Sequence, residues 1–257
     1  MKLKKAELHE FLLEKADQYA KRSFINEDPI LIPHRFSDPK DIEISGLIAA
    51  TLAWGQRKTI IAKSEDIIHR MAHAPSEFVS GATESDLDSF DGFIHRTFKA
   101  EDIKGLVVAL QKLYGEYSSI GEFFKLHHGA ENNLGTSFKA FKQYLLNNGL
   151  PGRAAKHFGD PARGSACKRM VMYSRWMART NKEGIDFGIW DIDPAKLSLP
   201  LDVHSGRVAR SLGLLKRKQS DWKAVLELDQ AVRKIAPEDP ARLDYALFGL
   251  GVYEGWK

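Results

Sequence analysis

The chain has 257 residues, 43% hydrophobic and 28% charged, with a formal net charge of +4. These values describe a globular chain able to bury a sizeable core, and they exclude a disordered or low-complexity protein. A lone cysteine, Cys167, excludes both an internal disulfide and a four-cysteine zinc or iron–sulfur site.

Helical periodicity dominates from the start. Lys5 to Arg22 spaces Leu8, Phe11, Leu12 and Tyr19 close to a 3.6-residue repeat. A proline-marked loop, Asp28 to Pro39, leads into Ile42 to Trp54, an apolar helix buried on most sides. Thr59 to Met71 follows with Ile60, Ile61, Ile67 and Ile68 on one stripe. Pro75, Gly81 and the acidic Glu84 to Asp91 stretch interrupt the pattern. Further helices are expected over Ala100 to Tyr114, Ile120 to Leu126 and Leu134 to Leu146, the last closed by Asn-Asn-Gly. Then come a basic helix, Ser165 to Arg179, a loop from Asn181 to Pro200, and three helices over Val203 to Leu212, Asp221 to Ile235 and Pro240 to Tyr253. No segment alternates like a strand bounded by hairpin turns, so the expected fold is all-α with about ten to thirteen helices.

The longest uncharged, mainly apolar run, Ile44 to Gly55, is too short to cross a bilayer. The N-terminal MKLKKAELHEFLLEKA lacks a signal peptide's apolar core, so a cytoplasmic protein with no membrane partner is expected. The nine histidines form no metal-binding spacing, and His127-His128 reads as a solvated loop; no metal or cofactor is expected.

Charge is unevenly placed. Between Gly152 and Lys182 stand Arg153, Lys156, Arg163, Lys168, Arg169, Arg175, Arg179 and Lys182 against Asp160 alone. Between His204 and Lys223 stand Arg207, Arg210, Lys216, Arg217, Lys218 and Lys223 against Asp221. Each window can be a solvated helix face whose acids lie elsewhere; together, flanking one candidate site, they suit a surface that tracks phosphates.

That site is read from two helix starts. In GSACKRMVMYSRWMAR, Gly164 suits a tight turn, Ser165 suits an N-cap, and Lys168 falls in the first turn. An ammonium there faces the positive end of the helix macrodipole, a poor structural placement that suits an amine needed neutral, as a nucleophile. In LPLDVHSGRVARSLGLL, Asp202 stands before a helix, where a carboxylate ordinarily serves as an N-cap.

The segment PLDVHSGRVARSLGLL resembles the V-D-T-H-V-x-R-V-x-x-R-L-G-L motif of the helix-hairpin-helix DNA glycosylases, matching at Asp202, His204, Arg207, Val208, Arg210, Leu212, Gly213 and Leu214. G-S-A-C-K, Gly164 to Lys168, is similar to the family's L-P-G-V-G-x-K-T-A hairpin; it keeps the first glycine and the lysine, has Ala166 for the second glycine and lacks the Leu-Pro. LIAATLAWGQRKT is similar to the L-I-A-x-x-L-S-x-Q-x-T helix and turn, with Gln56 at the glutamine that can enter the duplex. Lys168 and Asp202 lie 34 residues apart, longer than in most of the superfamily and closest to the archaeal 8-oxoguanine glycosylase branch.

The resemblance implies a two-lobed helical fold, with residues 42–164 in one lobe and residues 1–41 plus 165–257 in the other. It implies a monomeric bifunctional DNA glycosylase and AP lyase acting on a damaged base such as 8-oxoguanine in double-stranded DNA, with Lys168 as nucleophile and Asp202 as catalytic carboxylate. Gln56, Arg57, Gly164, Ser165, Arg169, His204 and Arg207 would contact DNA, and Trp54, Phe187 and Trp190 would form the base pocket. Gln56 is equally readable as a polar helix end, and Phe187 and Trp190 as core aromatics. A non-catalytic DNA-binding module, a helical protein–protein adaptor and N-glycosidic chemistry on RNA or another modified base remain open alternatives.

Overall fold

The computed structural model describes residues 4–180 and 182–256; Asn181, the first residue of the expected loop, lies outside them. The α-helices are α1 (Lys5–Tyr19), α2 (Pro39–Leu52), α3 (Arg57–Arg70), α4 (Pro75–Gly81), α5 (Glu84–Leu87), α6 (Ala100–Glu116), α7 (Ile120–Leu126), α8 (Gly135–Asn147), α9 (Lys168–Ala178), α10 (Val203–Ser211), α11 (Trp222–Val232) and α12 (Leu243–Val252). The one sheet among the described residues is a short antiparallel hairpin, β1 (Ile94–His95) with β2 (Phe98–Lys99). The fold is therefore all-α apart from this hairpin.

Helix α2 is the central element. Pro39 opens it and the Asp38 carboxylate accepts from the amides of Lys40 and Asp41, a strong start signal. From Ile42 to Leu52 every residue is buried. Gly46 lets α9 lie close: a Cβ there would stand 2.7 Å from Met177 Cε and 3.4 Å from the Tyr173 ring. The same helix buries Glu43, whose carboxylate accepts from the amides of Ile120 (3.2 Å) and Gly121 (3.0 Å), from the Tyr114 hydroxyl (2.9 Å) and from Trp190 Nε1. It thereby satisfies the amides opening α7. Burial raises its pKa against the pull of these donors.

Apolar side chains segregate into two clusters. The larger gathers α2, α3, α6, α7, α8 and the inner face of α9. The smaller joins Leu12 and Ala16 of α1 to Leu199, Leu201 and the apolar faces of α10, α11 and α12. Gly249 leaves room for the Tyr19 ring where α1 meets α12.

Two local expectations are corrected. The interrupted stretch at Pro75 to Gly81 forms α4, because proline is favoured at a first helical position and Val79 has a core to enter. Ser165 does not cap the basic helix, which begins later, at Lys168, with Cys167 before it. A 3-10 turn, Pro161–Arg163, capped by Asp160, precedes the Gly164 turn.

Removing Glu43 would strand several buried donors, each worth about 1–3 kcal/mol. Glu43→Leu is expected to lower the unfolding free energy by at least about 3 kcal/mol in urea titration; a loss under about 1 kcal/mol would show that the donors find other partners.

Candidate active site

A cleft of about 870 Å³ is lined by both helix starts read from the sequence, with Lys168 on one wall and Asp202 on another. Lys168 Nζ donates to Asp202 Oδ2 at 3.1 Å, with the side chains 41% and 23% exposed. The amine is thus reachable from solvent while engaged with its partner. The two residues come from elements rooted in different apolar clusters: α9 packs Met170, Val171, Tyr173 and Trp176 into the larger, and α10 packs Val208 and Ala209 into the smaller.

Local geometry fixes each partner. Gly164 adopts φ +80° and Cys167 φ +49°, so the chain turns sharply just before Lys168. A non-glycine residue held in the left-handed region carries about 1–3 kcal/mol of strain, which the surroundings must maintain. The Ser165 hydroxyl accepts from the Cys167 amide at 3.2 Å, and the Trp222 amide donates to Gly164 O at 3.3 Å, pinning the turn to the start of α11. Burial pushes the Cys167 thiol up to about 12, so it is a packing group.

Asp202 caps α10. Its Oδ1 accepts from the Ser205 amide (2.8 Å) and hydroxyl (3.1 Å), and its own amide donates back to Ser205 Oγ (2.9 Å). Burial alone would raise its pKa; the Lys168 charge and the Ser205 donors outweigh that and hold it below the ordinary carboxylate range.

Other cleft residues were not legible as site residues. Asp28 and Asp244 both line the cleft. Asp244, 13% exposed, pairs with Arg175 Nη1. Burial pushes it up to about 6 against the Arg175 charge, with Asp202 also raising it. Burial likewise raises Asp28, opposed first by the Ile30 amide. Aromatic surface comes from Phe24, Tyr245 and Phe248. The signal available for Asp244 was a lone acid inside the apolar run LDYALFGL, since a charge in such a face must find a buried partner.

The predicted DNA contacts separate. Gln56 is exposed at the start of α3, with Arg57 over the Phe248 ring at 4.9 Å. Gly164 is exposed; His204, also exposed, lines the cleft, with Arg207 Nη2 3.3 Å from its Nδ1. Arg169 instead turns inward: it donates to Thr51 O (2.7 Å) and Lys156 O (3.2 Å) and covers Trp54 at 5.1 Å, and burial lowers its pKa to about 10.

The first basic window is less exposed than its sequence suggests, because Arg175 and Arg179 are buried against Asp186, Asp239 and Asp244, acids from outside the window. In the second, Arg210 holds the carbonyls of Arg217 and Lys218 (2.8 and 3.0 Å), and Arg217 pairs with Asp221.

Of the three proposed pocket aromatics, only Trp54 lines the cleft, packed against His95 and His157. Trp190 belongs to the core, its ring fitting against Gly121 and its Nε1 reaching Glu43. Phe187 packs on His34, with ring centres 4.4 Å apart, away from the cleft. Both corrections share a cause: the loop carrying these aromatics runs back over α9, where the Phe187 and Trp190 amides donate to Trp176 O and Met177 O. Trp176 is fully buried and forms part of the cleft wall.

Among the described residues no group of three or more His, Cys, Asp or Glu is placed to hold a metal, and no helix is long and apolar enough to cross a membrane.

A family model described as "Protein of unknown function (DUF2400)" matches residues 28–253, and the chain belongs to that family. The match spans Asp28, Lys168, Asp202 and Asp244 alike. No curated protein and no solved structure matches the chain.

The folded protein keeps the Asp244 proton up to about pH 6, whereas the unfolded chain releases it near pH 4, at about the ordinary carboxylate value. Its contribution to stability is therefore complete below about pH 4 and is lost as pH rises through about 6. The unfolding free energy of the wild type minus that of Asp244→Asn should fall over this window in parallel denaturant titrations. A difference flat with pH would contradict the assignment.

Proposed function

We propose that this protein is a DNA glycosylase with AP lyase activity, working through Lys168 and Asp202. The observation that carries the reading is the 3.1 Å contact between an amine and a carboxylate, each at a helix start, inside a cleft of about 870 Å³. The two-lobed reading is supported by the two apolar clusters meeting at this pair.

A glycosylase must bring C1′ of a stacked nucleotide to its catalytic groups, which requires flipping the nucleotide at a cost of a few kcal/mol. The cleft is large enough for a nucleoside, and Phe24, Tyr245 and Phe248 offer faces for a base. Exposed Gln56 is the wedge for the vacated space. Exposed bases of the two windows, with the helix N-termini, hold the backbone.

As the N-glycosidic bond breaks, positive charge grows on the sugar. The Asp202 carboxylate, kept ionised by Ser205 and Lys168, stabilises that charge without reorganising. The proton of the Lys168 ammonium passes to the departing base, the freed nitrogen lone pair forms the new bond to C1′, and the base leaves with the old bonding pair. Ring opening gives a Schiff base, and loss of the C2′ proton then expels the 3′ phosphate by β-elimination. Damaged purines such as 8-oxoguanine are the first substrates to test, with the enzyme acting as a cytoplasmic monomer.

Borohydride trapping on a panel of lesion duplexes decides the reading. The wild type should form a covalent adduct with at least one duplex, Lys168→Gln should form none, and Asp202→Asn should slow excision by roughly 10²–10³-fold. Salt-dependent binding with no adduct or cleavage on any lesion would leave a non-catalytic DNA-binding protein and end the enzymatic reading.

A further inference from the structure

Asp202 is delivered by an irregular segment, residues 197–201, that belongs to no helix and no sheet. Leu197, Leu199 and Leu201 are buried, so its backbone polar groups need partners inside the protein. Some of those partners come from Asp229, on α11, and Arg233, one turn further on at the helix end. The Arg233 guanidinium, just past the helix end, donates to Ala195 O (3.1 Å) and Leu197 O (3.2 Å), and also to Asn132 O (2.8 Å) in the loop before α8. Asp229, almost fully buried, accepts from the Ser198 hydroxyl at 2.6 Å and lies 3.5 Å from Arg233 Nη1. The far end of the segment is closed by Ser205, whose hydroxyl oxygen lies 3.0 Å from Pro200 O while its amide caps onto Asp202.

We infer that Asp229 and Arg233 are positioning residues for the catalytic carboxylate: they clamp the 195–199 backbone so that Asp202 meets Lys168 on the opposite side of the cleft. A surface carboxylate–arginine pair one helical turn apart would be a weak ornament. Here the carboxylate is buried, and the guanidinium satisfies three carbonyls from two separate loops. Burial pushes Asp229 up to about 6 against the opposing pull of Ser198, Arg233 and the Leu199 amide. A carboxyl kept at that burial has its partners specified. Since Asn132 lies between α7 and α8, helices of the larger cluster, Arg233 also fixes the smaller cluster, and Asp202 with it, relative to the wall that carries Lys168. The catalytic part of the test rests on the glycosylase reading above; the structural part does not.

The test compares Ser198→Ala, Arg233→Ala and Asp229→Asn with Val232→Ala, a core substitution on the same helix that lowers stability without touching the clamp. The structural readout is amide hydrogen exchange at Ser205, which reports the Asp202 cap, with Val171 in α9 as reference. Ser198→Ala and Arg233→Ala should lose protection at Ser205 while Val171 stays protected; Asp229→Asn, which keeps an acceptor for Ser198, should retain most of it. The catalytic readout is the single-turnover trapping rate set against affinity for the same duplex. Ser198→Ala and Arg233→Ala should trap roughly ten- to a hundredfold more slowly with affinity unchanged, the penalty of a misplaced catalytic group. Val232→Ala, at a matched loss of thermal stability, should trap at the wild-type rate. If Ser198→Ala and Arg233→Ala keep wild-type exchange at Ser205, or if Val232→Ala slows trapping as much as they do, the inference is overturned. If the wild type itself traps no lesion, the glycosylase reading fails, and exchange at Ser205 alone decides the inference.

Discussion

Lys168 and Asp202 each stand at the start of a helix, and the placement acts oppositely on the two. The positive end of the α10 dipole, with the Ser205 amide, favours the carboxylate, whereas the positive end of the α9 dipole disfavours an ammonium. Their contact reconciles the two ends: Asp202 supplies the negative charge that the lysine's position lacks. Both groups are partly exposed, so solvent screening keeps the pair to about 1 kcal/mol or less as a stabilising contact. Stability of the pair therefore does not explain why a strained turn at Cys167 and an irregular backbone segment before Asp202 are maintained around it. On the proposed function, holding reactive groups at the edge of a cleft would account for both.

The surroundings follow from that need. Burying Asp28 and Asp244 beside the pair would be prohibitive without cations, and Arg175 on the same helix as Lys168 supplies one. Arg175 and Arg179 then continue inward to Asp186 and Asp239, stitching α9 to the segments that flank α12. This use of arginine depletes the surface charge that a tally of basic residues suggests.

The helical periods, the left-handed Gly164 and the Asp202 cap were legible in the sequence because each is a local consequence of residue type. The lysine and aspartate were legible as a pair only through the resemblance of three short segments, since nothing local brings residues 34 positions apart together. What stayed hidden is non-local. Ser165 was a reasonable cap by type, yet its hydroxyl serves the turn, and the helix waits for Lys168. Arg169 read as a phosphate ligand because the carbonyls of Thr51 and Lys156 that capture it belong to other elements. Trp190 read as a pocket wall because its partner, Glu43, lies far away on α2. Asp244 carried only a local signal, a lone acid in an apolar run; its place near the pair comes from the cleft it enters, which is assembled from five separate stretches of chain.

The claim that Lys168 and Asp202 meet as a charged pair can be tested without substrate by following the Asp202 carboxyl carbon through a pH titration by NMR, in the wild type and in Lys168→Met. The account predicts a carboxyl that titrates below the ordinary aspartate range in the wild type and moves upward when the lysine charge is removed, because burial then acts against Ser205 alone. Identical titration curves for the two proteins would contradict it.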